Sequence, residues 1–587
     1  MEMTSRIFEA VLSPLAIVMH PDPASSCSFD EGYRFPEEEE EVREQEEGGN
    51  ETAGEWRATD QNPQSRDGLA SCSSLFSEGA TATWRIDGAD FDGRRFFAVP
   101  TFAIGKPPLR VDVYIPPFED IPPDLRRRLR PEAVLSNRRS DLANLPITRH
   151  LLRALETWSA RLPNFQREYE SLPFGSQILV GRIDADVEVM AADMHLYPSY
   201  DVEENMLTPA ALKDMWQVTL PQQVDLEDVK FQSQLHEAIS LVTIRSTAET
   251  NPDTTPTTFV FKSLLRDQRY MYNEFKNLIT LPSHPNIVPT PPFTVTKRAR
   301  FGGRRGVIGF ILPYYPLGSL KQYLLSTPPI PLETKIEWCQ QITRALIHIN
   351  SYGCFYPDLK PDNVVLWEND RKLDAVLIDL EQRGGWYSWS PPEVGYVEYL
   401  ELLASAAPEQ NVRDEYGGLV KRRIPKWKVT SQQDRYVNLQ GGFSMPWKCL
   451  KEEEREKAQV FMLGKLIWCV FEVTPWVRCG IDHEVLRDEG SGVGFPVMGD
   501  EVPRKVRELV KACTNGAREW ERGVGGVLKV EGRNLVVRGG GDVGVVTKEW
   551  WAEEVRKSKE FVEGGKGWER PTFEEVLRVL EGLGGDK

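Results

Sequence analysis

The chain has 587 residues, 40% of them hydrophobic, and a formal net charge of −17, which is room for two or three domains with cores of their own. Lys and Arg number 71 against 88 Asp and Glu, so the surface as a whole lacks the cation excess that phosphate backbones demand, and no nucleic-acid partner is expected. The eight cysteines (27, 72, 339, 354, 449, 469, 479 and 513) form no C-x-x-C pair, which predicts reduced thiols in an intracellular, cytoplasmic or nuclear, protein and neither a disulfide framework nor a zinc site.

In chain order, residues 1–68 form a first segment. Ile7, Val11, Leu12, Leu15, Ile17 and Val18 make a loose amphipathic piece interrupted by Glu9 and Pro14, without the basic lead-in of a signal peptide. Residues 20–68, rich in Pro, Ser, Gly and Glu with the run Glu37–Glu41, bury too little apolar surface to offset their ordering entropy, and disorder is predicted. Residues 69–223 turn globular, with Trp84, Phe96 and Phe97, an alternation over Leu109–Ile115, an amphipathic helix over Ile147–Leu162 and a strand at Gln177–Ile183. They read as a small α/β region or an N-terminal extension of the next domain, and no catalytic constellation stands out. A helix is predicted from Pro209.

From 224 to 314 the patterns are mostly strands. Val229–Arg245 holds two, split by His236-Glu-Ala-Ile-Ser, and Thr257–Lys262 and Gly306–Leu312 are two more. A helix carrying Tyr270, Glu274 and Leu278 lies between them, followed by His284-Pro-Asn-Ile-Val. From 315 to 583 helices dominate, beginning with Leu332–Ser351, whose Leu332, Ile336, Cys339, Ile342, Leu346 and Ile349 form an apolar stripe. Insertions are predicted at 394–455, read as a surface excursion with basic Lys421, Arg422, Arg423, Lys426 and Lys428, and at 517–542. The longest apolar run, Leu466–Phe471, is far short of a membrane span.

The densest chemistry lies in Cys354–Leu366, C-F-Y-P-D-L-K-P-D-N-V-V-L. Asp358, Lys360 and Asn363 stand on a turn broken by Pro361 and feeding a short apolar strand. In that order a carboxylate can accept a hydroxyl proton, an ammonium can hold a phosphate and an amide oxygen can hold a metal. A second strand, Ala375–Leu380, carries Asp379 near its end, where a metal ligand would stand.

These strings resemble the catalytic and metal-binding loops of the eukaryotic protein kinases, H-R-D-x-K-x-x-N followed by D-F-G, and more narrowly the divergent kinase-like proteins of filamentous fungi. The resemblance spans about 230–583 and implies an α+β class, bilobal protein kinase fold. It implies Lys262 paired with Glu274 and aimed at the α- and β-phosphates of ATP, with Leu312 as gatekeeper, Pro313–Tyr315 as hinge and Val365 beneath the adenine. It further implies Asp358 as base, Lys360 on the γ-phosphate, Asn363 and Asp379 on Mg2+, and a Ser or Thr hydroxyl as acceptor.

The sequence departs from the family pattern at named places. No G-x-G-x-x-G precedes Lys262, and Val260 stands where alanine is usual. Tyr356-Pro357 replaces His-Arg, Leu380-Glu381 replaces Phe-Gly, and Gln459 replaces an aspartate. Tyr356 with Leu380 and Leu278 could rebuild an apolar spine, and Glu381 is either a further metal ligand or a surface acid. Pro391-Pro-Glu393 stands in the A-P-E position, with Arg570 its expected partner. Besides a Ser/Thr kinase, two readings stay open: a pseudokinase serving as scaffold, and a small-molecule kinase.

Overall fold

The computed structural model describes residues 13–15, 17 and 83–584, except for 91–92, 136–138, 246–256, 267, 301, 327–328, 370–371, 386–387, 426, 428–445, 448–449, 478–493, 523–526, 532–533 and 565–566. The disorder expected over 20–68, and Lys426 and Lys428, fall outside the described residues.

Two sheets make up the N-terminal half. The first is five-stranded in the order β1-β2-β3-β4-β5, built from β1 (Trp84–Ala89), β2 (Arg95–Pro100), β3 (Asp112–Tyr114), β4 (Gln177–Val180) and β5 (Met194–Tyr197). Helix α1 (Pro146–Arg161) lays Ile147, Leu151, Leu155 and Trp158 into a core it shares with Trp84, Phe96, Val113 and Ile178. The amphipathic spacing predicted for this segment is the cause, since those residues fall on one helical face.

The second sheet has six strands in the order β6-β10-β11-β9-β8-β7. Its members are β6 (Gln222–Asp225), β7 (Val229–His236), β8 (Ile239–Ile244), β9 (Phe259–Lys262), β10 (Phe293–Arg298) and β11 (Arg305–Pro313). Strand β9 is interior, with Lys262 opposite Ile239 on one side and Phe310 on the other. Helix α2 (Pro209–Trp216) and helix α3 (Gln268–Thr280) pack together beside this sheet. Trp216 meets Phe275 at 6.0 Å, and the Tyr272 hydroxyl donates to the Val307 carbonyl while accepting from the Leu207 amide. Val202 and Met206 join the core on the sheet's other side. Residues 201–223 therefore pack with the second sheet, and the expected boundary at 223 falls some twenty residues late.

The C-terminal half is helical around α4 (Leu332–Ser351), α5 (Pro392–Ala406), α6 (Gln410–Arg423), α7 (Glu452–Glu472), α8 (Arg504–Cys513), α9 (Val543–Val562) and α10 (Phe573–Gly584). The hairpin β12 (Val364–Asn369) and β13 (Lys372–Leu377) lies against α4, where the Trp338 indole donates to the Leu373 carbonyl at 2.7 Å. From Ala458 to Phe471 every residue of α7 is buried, which makes it the central post of this half. The hairpin β14 (Leu528–Glu531) and β15 (Asn534–Val537) packs on α9 through Leu528, Val537, Trp550 and Trp551. Thus the fold is a mixture of a sheet-rich N-terminal lobe and a helical C-terminal lobe, as a kinase fold requires. No described helix is long and apolar enough to cross a membrane.

Residues 394–427 do not form the surface excursion expected of them. Val394, Val397, Leu400, Leu403, Tyr416, Val420 and Ile424 enter the main core on α5 and α6, and only the basic end of α6 stays at the surface. The described cysteines 339, 354, 469 and 513 are free thiols, as their spacing suggests.

The Arg570 guanidinium meets Glu393 at 2.9 Å with both side chains almost wholly buried, and donates to the carbonyls of Asn515 and Lys457. It bolts the start of α5 to the base of α10. Removing one member leaves a buried charge unpaired, so Arg570→Met should lower the unfolding free energy by about 3 kcal/mol. Adding Glu393→Met should recover much of that loss in chemical denaturation. Equal losses for single and double variants would show that the charge pairing does not matter.

Candidate active site

The site forms where β9, α3 and the segment after β13 meet. Because β9 is interior, Lys262 is carried inward, and its Nζ lies 2.6 Å from Glu274 Oε2 and 2.6 Å from Asp379 Oδ1. Glu274 reaches it because α3 is pinned. Phe275 stacks on Phe310 with centroids 5.0 Å apart and planes 5° from parallel, and the Asn277 amide donates to the Leu380 carbonyl at 3.0 Å. Asn273 donates to Gln382, and Arg383 lies over the Tyr270 ring at 5.1 Å. One face of α3 therefore grips the segment beyond Asp379.

Asp379 has φ of +61°, a left-handed conformation that aspartate tolerates better than most residues. Its neighbours hold it there: the Tyr356 hydroxyl donates to the Ile378 carbonyl, and the Ile378 amide donates to the Asn363 carbonyl at 3.0 Å. Tyr356, Leu380 and Leu278 are all buried in the main core. The Tyr356 amide donates to Gln459 Oε1 at 2.7 Å, so the glutamine on α7 anchors the backbone of this turn.

On the turn before β12, Lys360 Nζ lies 2.7 Å from Asp358 Oδ2, and the Asn363 amide nitrogen donates to the same oxygen at 3.0 Å and to the Asp358 carbonyl at 2.8 Å. Asn363 has its nitrogen engaged and its amide oxygen left over. Asp358 Oδ1 is buried without a hydrogen-bond partner among the described residues. Gly385 passes directly over it: a side chain there would place its Cβ 2.8 Å from that oxygen.

Electrostatics link the two groups. Burial disfavours the Lys262 ammonium, but Asp379 and Glu274 outweigh it and hold Lys262 above the usual lysine range. Burial would raise Asp379, yet Lys262 and Lys360 hold it below the usual carboxylate range. Glu274 is pushed up by burial and by Asp379 and Glu381, against the pull of Lys262. Burial also raises Asp358, and Lys360 offsets only part of the rise.

Glu381 is no surface acid. Its side chain is 14% exposed, Arg383 meets it at 3.2 Å, and Glu274, Asp379 and Glu381 each bring an oxygen within 4.8 Å of the others. Three carboxylates share Lys262 and the more distant Arg383, a donor set of hard oxygens that suits a divalent cation such as Mg2+. The remaining predicted residues lie along the connection between the lobes. Leu312 is buried opposite Val260, Pro313 ends β11, Tyr315 meets Trp367 edge-on at 5.7 Å, and Val365 is buried and bridged to Ser319.

Sequence reasoning missed the ties from α3 to residues 380–383, because Asn273, Asn277 and Arg383 belong to no motif and meet their partners only through the fold. It also missed the turn of β7 and β8 as a docking point. There Arg95 of β2 pairs with Glu237, two residues that lie 142 positions apart.

Lys262→Met tests the acid cluster through pH. Without the ammonium, Glu274 and Asp379 in the folded chain titrate above their unfolded values, so ionising them costs stability that grows as pH rises. The variant should be less stable than the unaltered chain by about 3 kcal/mol at pH 8 and by distinctly less at pH 5, read by denaturation at both. A deficit independent of pH would mean that the carboxylates do not depend on Lys262.

Residues 243–374 match a family model described as protein tyrosine and serine/threonine kinase. The match runs from β8 into β13 and takes in Lys262, Glu274, Asp358, Lys360 and Asn363, ending just short of Asp379. No curated protein matches the chain. The chain thus carries a protein kinase-like region, and it is there that the charged groups of the site converge.

Proposed function

We propose that the protein is an ATP-dependent protein kinase that transfers the γ-phosphate of Mg-ATP to a Ser or Thr hydroxyl. The observation that carries this reading is the convergence of Lys262, Glu274 and Asp379 at 2.6 Å beside the Asp358, Lys360 and Asn363 turn.

The residues divide the work among them. Asp358 Oδ1, buried and without a partner among the described residues, takes the proton of the acceptor hydroxyl, and the rise that burial gives its pKa strengthens it as a base. The hydroxyl oxygen then bonds to the γ-phosphorus while the bond to the bridging β-oxygen breaks, and ADP leaves with the electron pair. Lys360 stabilises the negative charge on the γ-phosphoryl oxygens, and Lys262, oriented by Glu274, does the same at the α- and β-phosphates. Asp379 and the free amide oxygen of Asn363 would hold Mg2+, which when bound neutralises phosphate charge. Leu312, Pro313, Tyr315 and Val365 would receive the adenine, with Val260 above it. The loop Asp358-Leu-Lys360-Pro is similar to that of serine/threonine kinases, which supports the acceptor class.

A scaffold reading has its own observation in the Gly385 backbone, which lies against Asp358 and covers the side an acceptor hydroxyl would approach. One experiment separates the two. If the chain is an enzyme, ATP binds in a Mg2+-dependent way, Asp379→Asn abolishes that dependence, and Asp358→Asn still binds ATP but loses roughly 100-fold or more of phosphotransfer to a Ser/Thr peptide library. An unaltered chain that binds Mg-ATP and labels neither peptides nor itself would overturn the protein kinase reading, and the absence of ATP turnover with small hydroxyl compounds would then leave the scaffold.

A further inference from the structure

The first sheet and the second meet edge to edge. Strand β1 ends one sheet and β7 ends the other, and an open edge presents a row of unpaired N–H and C=O groups. Here β7 has its open edge satisfied from the N-terminal region, mostly without a shared ladder. The Phe231 amide donates to the Lys106 carbonyl at 2.8 Å, and the Gly105 amide donates to the Phe231 carbonyl at 2.7 Å. The Arg85 guanidinium donates to the Gln232 carbonyl at 2.7 Å, and the Gln234 amide donates to Asp87 Oδ2 at 2.8 Å. Arg85 and Asp87 also pair with each other at 2.6 Å, so the two clamps brace one another.

The row of contacts ends at the turn itself. Arg95 pairs with Glu237, one of the two residues that connect β7 to β8. Beyond Glu237 the charges run inward, since Arg383 lies within electrostatic reach of Glu237 and Glu381 and so links the turn to the acid cluster around Asp379. The Ala238 carbonyl also accepts the Ser263 amide at 2.9 Å, which ties the turn to the residue after Lys262.

We propose that Arg85, Asp87, Arg95 and the Gly105–Lys106 backbone are a fixed part of the nucleotide site, with Arg95 as the positioning residue that holds the Glu237–Ala238 turn over the phosphates. This rests on the kinase reading. A glycine-rich loop closes over phosphates because it is bare and mobile, whereas this turn carries side chains and has its place set from outside the lobe. The energetic logic is preorganisation: ordering the turn once, during folding, removes that entropic cost from each binding event.

The test uses the full chain with Arg95→Glu, Glu237→Arg, the double exchange, and Arg127→Ala as a control in an exposed pair on the same region. Hydrogen exchange over 231–240 reads the turn directly, and titration with a fluorescent ATP analogue reads its consequence. Each single exchange should speed exchange at the turn and weaken nucleotide binding by about tenfold, while the double exchange restores both within about threefold and the control changes neither. Restoration also separates positioning from general damage to the fold. Faster exchange with unchanged nucleotide affinity, or a double exchange no better than the singles, overturns the proposal. If the unaltered chain binds no nucleotide, the kinase reading fails and the positioning role falls with it. A nucleotide affinity indifferent to Arg95 overturns the positioning role alone.

Discussion

The contact on which the rest of the molecule depends is the one between Lys262 and its two carboxylates, each 2.6 Å away. The three groups come from three places: an interior strand of the second sheet, the helix packed beside it, and the segment after the β12–β13 hairpin of the helical half. No single element can bring them together. The sheet must present Lys262 inward, α3 must sit one ring-stack from β11, and the hairpin must end with Asp379 in a left-handed turn. Each requirement is met by a neutral contact that can be named: Phe275 on Phe310, Asn277 on the Leu380 carbonyl, and Tyr356 on the Ile378 carbonyl. The charges are therefore held by packing and by amide and hydroxyl bonds whose strength does not depend on protonation.

That arrangement leaves an imbalance. Ionised together, Glu274, Asp379 and Glu381 would carry more negative charge than Lys262 alone can answer, and burial accordingly pushes Glu274 and Glu381 toward their neutral forms. A folded protein can tolerate such a surplus when a cation completes it, and carboxylate oxygens with a spare amide oxygen are ligands for a hard divalent ion. Glu381 stands where a glycine is usual in the resembling loops, yet it adds to the surplus from inside the site. Its Arg383 partner explains how it is accommodated, since that guanidinium also rests on the Tyr270 ring of α3.

The lobes and most of the candidate site were legible in the sequence, because both are encoded at short range. Asp358, Lys360 and Asn363 sit within six residues of one another and share a turn; Lys262 and Glu274 are twelve apart, the span from a strand to the first turns of the next helix. Helix α4 was legible to its ends, Leu332–Ser351, from its apolar period together with the kinase resemblance, although Leu332, the first residue of that stripe, is exposed. What stayed hidden depends on pairings over large separations. The apolar residues of 394–427 show no motif, so they read as an excursion although Leu400 and Val420 are fully buried. Residues 201–223 were grouped with the region before them because their few apolar side chains find partners on α3 and β11, far along the chain. The pairing of Arg95 with Glu237 has no sequence signal beyond two opposite charges.

One missing residue brings these strands together. Pro357 stands where the resembling kinases have an arginine that clamps a phosphorylated activation segment, so here the segment after Asp379 needs another means of support. The structure supplies it from α3 and the helical half: Asn277 holds Leu380, Asn273 holds Gln382, and the Gln382 amide in turn donates to the Phe355 carbonyl at 2.9 Å. Further on, Lys465 of α7 donates to the Ser388 carbonyl, and Trp389 is buried. None of these bonds waits for a phosphate. Described residues of the segment are thus tied to α3 and to the helical half, while the Glu237–Ala238 turn is tied to the N-terminal region through Arg95.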